Sequence, residues 1–142
     1  MAEALFRELL NGQSDYIVHS AGVGAIHGQP ASTHTASLMR EKGIDLSDFR
    51  SRPLTADLVA EATHIFAMSA HHLGSIESQF PAAAEKAYLV SEFCADDELR
   101  NQDVIDPYGM GRDAYQDTQN MLERVLPSLV SYIEKTFPTP DK

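Results

Sequence analysis

Asp106-Pro107-Tyr108-Gly109 is the stretch whose residue types most invite chemistry. Proline restricts the residue before it to extended backbone, which suits a projecting carboxyl side chain at Asp106. The same dipeptide is ordinary turn chemistry in any loop, and on the residues alone that is the simpler account. The one cysteine, Cys94, has no partner for an internal disulfide and cannot found a cysteine-rich zinc site. The six histidines, His19, His27, His34, His64, His71 and His72, invite a metal reading. No pair of them stands at i, i+4 with a helix-borne glutamate, and adjacent His71 and His72 diverge on a helix. They are expected to be ordinary surface or half-buried side chains, with no metal and no cofactor implied. Arg50 and Arg52 would draw an anion to a rim or simply stand as solvated charges, and solvated charge is the simpler account.

A chain of 142 residues is one domain's worth, read as a single domain over 1–142. Its 43% apolar and 23% charged content is that of a globular protein with a real core. A formal net charge of −10 repels a phosphate backbone, which argues against general nucleic-acid binding. No apolar run approaches the ~20 residues of a membrane span. Glu3, Arg7 and Glu8 interrupt any signal-peptide core. A reducing cytoplasm is the expected compartment for so few thiols.

The elements follow from periodicity and caps. Ala2, Leu5, Phe6, Leu9 and Leu10 fall at helical spacing, and Asn11-Gly12 reads as the stop. Tyr16 to Ser20 reads as a short strand, and Pro30 to Lys42 as a helix ended by Gly43. Thr55 caps a helix over 56–62. His64 to Met68 is the best buried-strand candidate, Ser69 caps a helix to about Gln79, and Ala87 to Val90 is a third strand. Residues 92–111 are irregular and acidic, a length of loop that tends to be functional or mobile. From Arg112 on, Leu122, Val125, Leu126, Leu129, Val130 and Ile133 form an apolar stripe, with Pro127 inside it. A kink near Leu126 or a break into two helices is expected there. Strands alternating with helices predict an α/β domain with a parallel sheet. The first helix is odd: no Ser, Thr, Asp or Asn precedes it, so its first N–H groups lack a cap.

Several segments, in order, resemble one family. Met1 to Phe6 is similar to the helix that follows the phosphate-binding loop of low-molecular-weight protein-tyrosine phosphatases. His19 to Gly22, Gly28 to Ser32, Gly43 to Asp48, Arg50 to Thr55 and Asp106 to Gly109 continue that register over nearly the whole chain. The resemblance implies a three-layer α/β sandwich around a short parallel sheet of four strands. It also implies a first strand leading into a Cys-x5-Arg loop, whose amides cradle phosphate while its thiolate attacks phosphorus. Neither the strand nor the loop is found ahead of Met1. The domain is thus expected to be N-terminally incomplete, its remaining strands paired around a gap, through an internal start or a shortened chain.

The resemblance assigns roles residue by residue. Asp106 would be the general acid for the leaving phenolate oxygen, and Tyr108 an aromatic wall for a phosphotyrosine ring. Ser20 would support the phosphate loop. Phe49 departs from the histidine that many relatives carry there, which puts part of the loop-supporting hydrogen bonding in doubt. Cys94 to Arg100 matches Cys-x5-Arg literally, yet Asp96, Asp97 and Glu98 would oppose a phosphate dianion and no glycine permits a tight cradle. No nucleophile is therefore expected in this chain. The complete protein would hydrolyse phosphomonoesters, phosphotyrosine first, on a phosphoprotein or small substrate. Arsenate reduction is disfavoured for want of relay cysteines, and phosphoarginine stays open. The rival reading is a non-catalytic binding domain on the phosphatase scaffold, with a second copy as one partner.

Overall fold

The longest element is set by the apolar stripe near the C-terminus. Helix α5 runs unbroken from Arg112–Thr136 and buries Leu122, Val125, Leu126 and Leu129. The computed structural model describes residues 1–11 and 15–136. Against α5 pack α1 (Ala2–Leu10) and α2 (Thr33–Glu41), forming a core with Ala4, Leu5, Leu38 and Met39. Strand β1 (Ile65–Ala67) and strand β2 (Ala87–Leu89) lie parallel, with Ile65 opposite Ala87 and Ala67 opposite Leu89. Helices α3 (Ala56–Glu61) and α4 (Ala70–Gln79) cover the other face around Val59, Ile76 and Ala83. Alternation along β1 divides the layers: Phe66 packs toward α5, whereas Ile65 and Ala67 face α3 and α4. The fold is an α/β sandwich with a small parallel sheet.

The caps read from sequence do what their chemistry allows. Thr55 accepts from the Leu58 N–H and Ser69 from the His72 N–H, each at 3.2 Å. Gly43 adopts a left-handed φ of 80° just past α2, as its position demanded. At the end of α1 the left-handed residue is Asn11, φ 48°, while Gly12 lies outside the described residues. α1 has no side-chain cap at Met1.

Four expectations are corrected. Tyr16 to Ser20 forms no strand; nearby, only an isolated parallel bridge joins Gly22 to Pro53. Ile17 there is 82% exposed, while Tyr16 and Val18 on either side of it are half-buried. The described residues hold a two-stranded sheet rather than the three strands read from the sequence, because Tyr16 to Ser20 does not join it. β1 is only partly buried, with Ala67 alone deeply covered. Helix α5 does not split at Pro127, because Val125, Leu126 and Leu129 are buried on both sides of the exposed proline and hold the turn. Tertiary packing outweighs one missing N–H.

An aromatic cluster ties the start of β1 to the end of α5. Phe93 stacks on Tyr132 at 3.8 Å, and the Tyr132 hydroxyl donates to that of Tyr88 at 3.1 Å. His64 joins it, its Nε2 2.9 Å from the Thr136 hydroxyl and its Nδ1 3.0 Å from that of Thr63. Burial pushes the His64 pKa below its ordinary value.

Two measurements check these assignments. Pro127→Ala restores a helix N–H at an exposed site and is expected to raise the unfolding free energy by about 1–2 kcal/mol in urea titrations; a loss of stability would contradict the continuous helix. Because folding favours neutral His64, the stability tied to it is full above the ordinary imidazole value and lost as pH falls through the lowered one. The melting temperature is therefore expected to drop between about pH 7.5 and about pH 5, and less so in His64→Gln. Equal drops in both proteins would remove His64 from the account.

Candidate functional site

Asp106 sits on the loop that leads into α5, and that loop is pinned at both ends. On its N-terminal side, Val104 is buried and its N–H donates to the Met68 carbonyl at 2.8 Å. The carboxylate of Asp103 accepts from the Ala70 N–H at the head of α4. The Thr118 hydroxyl, one turn and more into α5, donates to the Ile105 carbonyl at 3.0 Å. On its C-terminal side, Arg112 reaches Ser37 at 3.1 Å and Glu41 at 2.6 Å on α2. Between these anchors the Asp106 carboxylate accepts from the Tyr108 N–H at 3.0 Å, and the Met110 N–H donates to the Pro107 carbonyl at 2.8 Å. Gly109 takes a left-handed φ of 79°, which closes the turn.

This loop borders a cavity of about 270 Å³. Asp106 and Tyr108 line it from the loop, Met1 from the head of α1, Ser32 and Thr35 from the head of α2, and Tyr115 from α5. Two helix heads thus open on one space. Ser32 caps α2, accepting from the Thr35 N–H at 3.2 Å and donating to its hydroxyl at 2.9 Å. The head of α1 has no such cap, and Leu5 is the first residue whose N–H returns to a carbonyl, that of Met1. Unsatisfied N–H groups and the positive end of a helix dipole favour an anion. Burial pushes the Met1 ammonium pKa down, with Glu3 acting against it. Buried Tyr115 forms the floor, its ring 5.0 Å from that of His34.

Asp106 and Tyr108 are thus brought together at one cavity; Tyr108 is 84% exposed and stands at its mouth. Ser20 does not line it. Its carbonyl accepts from Arg52 Nε at 3.1 Å, so Ser20 and Arg52 brace one another. Arg50 turns its guanidinium onto the Ser47 and Phe49 carbonyls. The histidines are exposed or half-buried, and no cluster of metal-ligating side chains occurs among the described residues.

Cys94 lies elsewhere. It is 2% exposed within the core that includes Leu122 and Val125, its Sγ 3.9 Å from the Arg124 carbonyl. Arg100 Nε donates to the Cys94 carbonyl at 2.9 Å while its terminal nitrogen pairs with Asp97 at 2.7 Å. Asp96 pairs with Arg124. The guanidinium closes a turn, and the local acids neutralise it.

Sequence reading missed Ser32, Thr35, Tyr115 and the anchors Thr118 and Arg112. Arg112 alone left a signal. A cation in the first turn of a helix opposes the dipole, which marks it as engaged elsewhere.

A family model described as low molecular weight phosphotyrosine protein phosphatase matches residues 1–138. A probable low molecular weight protein-tyrosine-phosphatase EpsP of Ralstonia nicotianae is 34% identical over 124 residues, which cover 87% of this chain and 79% of that protein. The protein-arginine-phosphatase of Bacillus subtilis is 34% identical over 136 residues, 95% of this chain and 88% of the other. The YwlE arginine phosphatase from Geobacillus stearothermophilus superposes with a TM-score of 0.84 at 30% identity, covering 95% of this chain and 84% of that one.

The burial of Cys94 has a direct check. The folded protein is expected to show negligible reaction with Ellman's reagent, and the urea-unfolded chain to titrate its single thiol. Rapid reaction in the folded state would place the thiol at the surface.

Proposed function

The chain belongs to the low molecular weight phosphotyrosine protein phosphatase family, and we propose on that footing that its residues serve phosphomonoester hydrolysis, with phosphotyrosine as first substrate. Asp106 is the general acid that protonates the leaving phenolate oxygen and then the base toward the hydrolytic water. Tyr108 is the wall against which the substrate ring rests. The carrying observation is the convergence of Asp106 and Tyr108 with the heads of α1 and α2 on one cavity. An anion bound at those heads would stand beside the carboxyl group that must reach its leaving oxygen.

In this reading Cys94 is not the nucleophile. A thiolate that attacks phosphorus needs exposure and a cationic or amide-rich setting. Cys94 is buried, and Asp96, Asp97 and Glu98 follow it. Turnover by these 142 residues alone is accordingly negligible. Curated relatives named for tyrosine and for arginine match at the same identity, 34%, so phosphoarginine is the second substrate to assay. The rival is a non-catalytic domain that works through protein contacts, a second copy among them. Its supporting observation is the same burial of the one cysteine.

The purified chain is expected to leave p-nitrophenyl phosphate, phosphotyrosine and phosphoarginine essentially uncleaved; a robust rate abolished by Cys94→Ser would overturn the assignment of Cys94. The acid role is tested by fusing a family strand and Cys-x5-Arg loop ahead of Met1. That chimera is expected to hydrolyse p-nitrophenyl phosphate, and Asp106→Asn in it to lower kcat by roughly 10²–10⁴. Unchanged kcat in Asp106→Asn would remove Asp106 from the chemistry. A chimera that stays inactive and sizes as a clean dimer by light scattering would favour the binding domain.

A further inference from the structure

The chain has five methionines, and the fold treats one of them differently. Met39 is fully buried at 0% exposure, and Met1, Met68 and Met121 are half-buried against the same core. Met110 is 53% exposed and lies on the loop that carries Asp106. Its setting is open on both sides. The flanking Gly109 and Gly111 are so unencumbered that an added Cβ would meet nothing within 4 Å. The turn is closed by the Met110 N–H itself, donating to the Pro107 carbonyl at 2.8 Å. Ile105 at 69% and Tyr108 at 84% exposure are the other exposed apolar side chains of the same loop.

We propose that Met110 is an oxidation site of this loop, with a hydroperoxide as the oxidant. A sulfur lone pair attacks the distal oxygen of the hydroperoxide, an S–O bond forms as the O–O bond breaks, and the proton of the attacked oxygen passes to the departing oxygen. The thioether is oxidised to the sulfoxide, and the hydroperoxide is reduced to its alcohol, or to water when hydrogen peroxide is used. Cys94, the other oxidisable sulfur type, is shielded at 2% exposure and does not compete in the folded state. Oxidation replaces a flexible apolar side chain by a polar, chiral one within the turn that orients Asp106 and Tyr108. The loop loses one of its three exposed apolar side chains and must re-settle around a strong new hydrogen-bond acceptor. Methionine sulfoxide reductases reverse the step, so the change is a switch. Its consequence for catalysis rests on the reading of Asp106 as the acid; the oxidation itself does not.

The test treats the folded chain with hydrogen peroxide and follows each methionine by peptide mass mapping. Met110 is expected to gain its oxygen about tenfold or more faster than Met39, with urea abolishing the difference. Equal rates in a sample whose circular dichroism is native would overturn the proposal. Met110→Leu is expected to remove the fast-reacting species and leave the spectrum unchanged; persistence of that species would also overturn it. The backbone amides of residues 105–108 are expected to shift on oxidation and return after treatment with the reductases. Unmoved amides there would overturn the switch. Failure of Asp106→Asn to slow the chimera would sink the acid role while leaving the rate contrast between Met110 and Met39 untouched, so the two readings fail separately.

Discussion

Burial of one face of α5 is the constraint on which the other placements depend. Leu122, Val125, Leu126 and Leu129 are withdrawn from water together, and each such side chain contributes about 1.5–3 kcal/mol when fully covered. α1 and α2 supply part of that cover, and Phe66, Val90, Cys94 and Val104 add to it. Laying α1 and α2 on α5 orients their heads toward one end of the layer. The Asp106 loop enters α5 at that same end, so it borders the space those heads leave. Arg112 then fastens the joint by pairing with Glu41 across the helices.

The site has an electrostatic logic despite the acidic character of the whole chain. Helix heads provide local positive potential without any cationic side chain, and this potential survives a formal net charge of −10 because it is short in range and partly sheltered. The arginines that could have served the site are engaged elsewhere. Arg50 holds carbonyls, Arg52 braces Ser20, and Arg100 and Arg124 neutralise the acidic turn after Cys94. The single thiol and the Asp106 carboxylate therefore belong to different parts of the molecule, one in the core and one beside the cavity.

What could be read in advance was what local chemistry decides. Thr55 and Ser69 announced their helices because a hydroxyl satisfies an orphan N–H within three residues. Gly43 announced an end because no other residue takes its φ cheaply. Asp106 drew notice because Pro107 and Tyr108 follow it, and the fold adds its place at a cavity. Contacts between distant segments were not legible. Tyr16 to Ser20 has strand-like residues but gains no ladder, and no local rule reports whether a neighbour exists. Pro127 announced a break that packing on either side prevents. The hydroxyls of Ser32 and Thr35 looked like ordinary capping groups. Their place beside Asp106 follows from a separation of more than 70 residues that only the fold closes.

The partnership of α1 with α5 joins the two ends of the chain, and that has a consequence for biosynthesis. Leu5 emerges from the ribosome more than 100 residues ahead of the Leu126 cluster that will cover it. At ordinary rates of elongation that interval is on the order of ten seconds. Throughout it, the flank of the first helix lacks its α5 cover, whereas the cluster around Val59, Ile76 and Ala83 is complete before α5 is made. The two halves of the sandwich therefore become able to close at different times during synthesis.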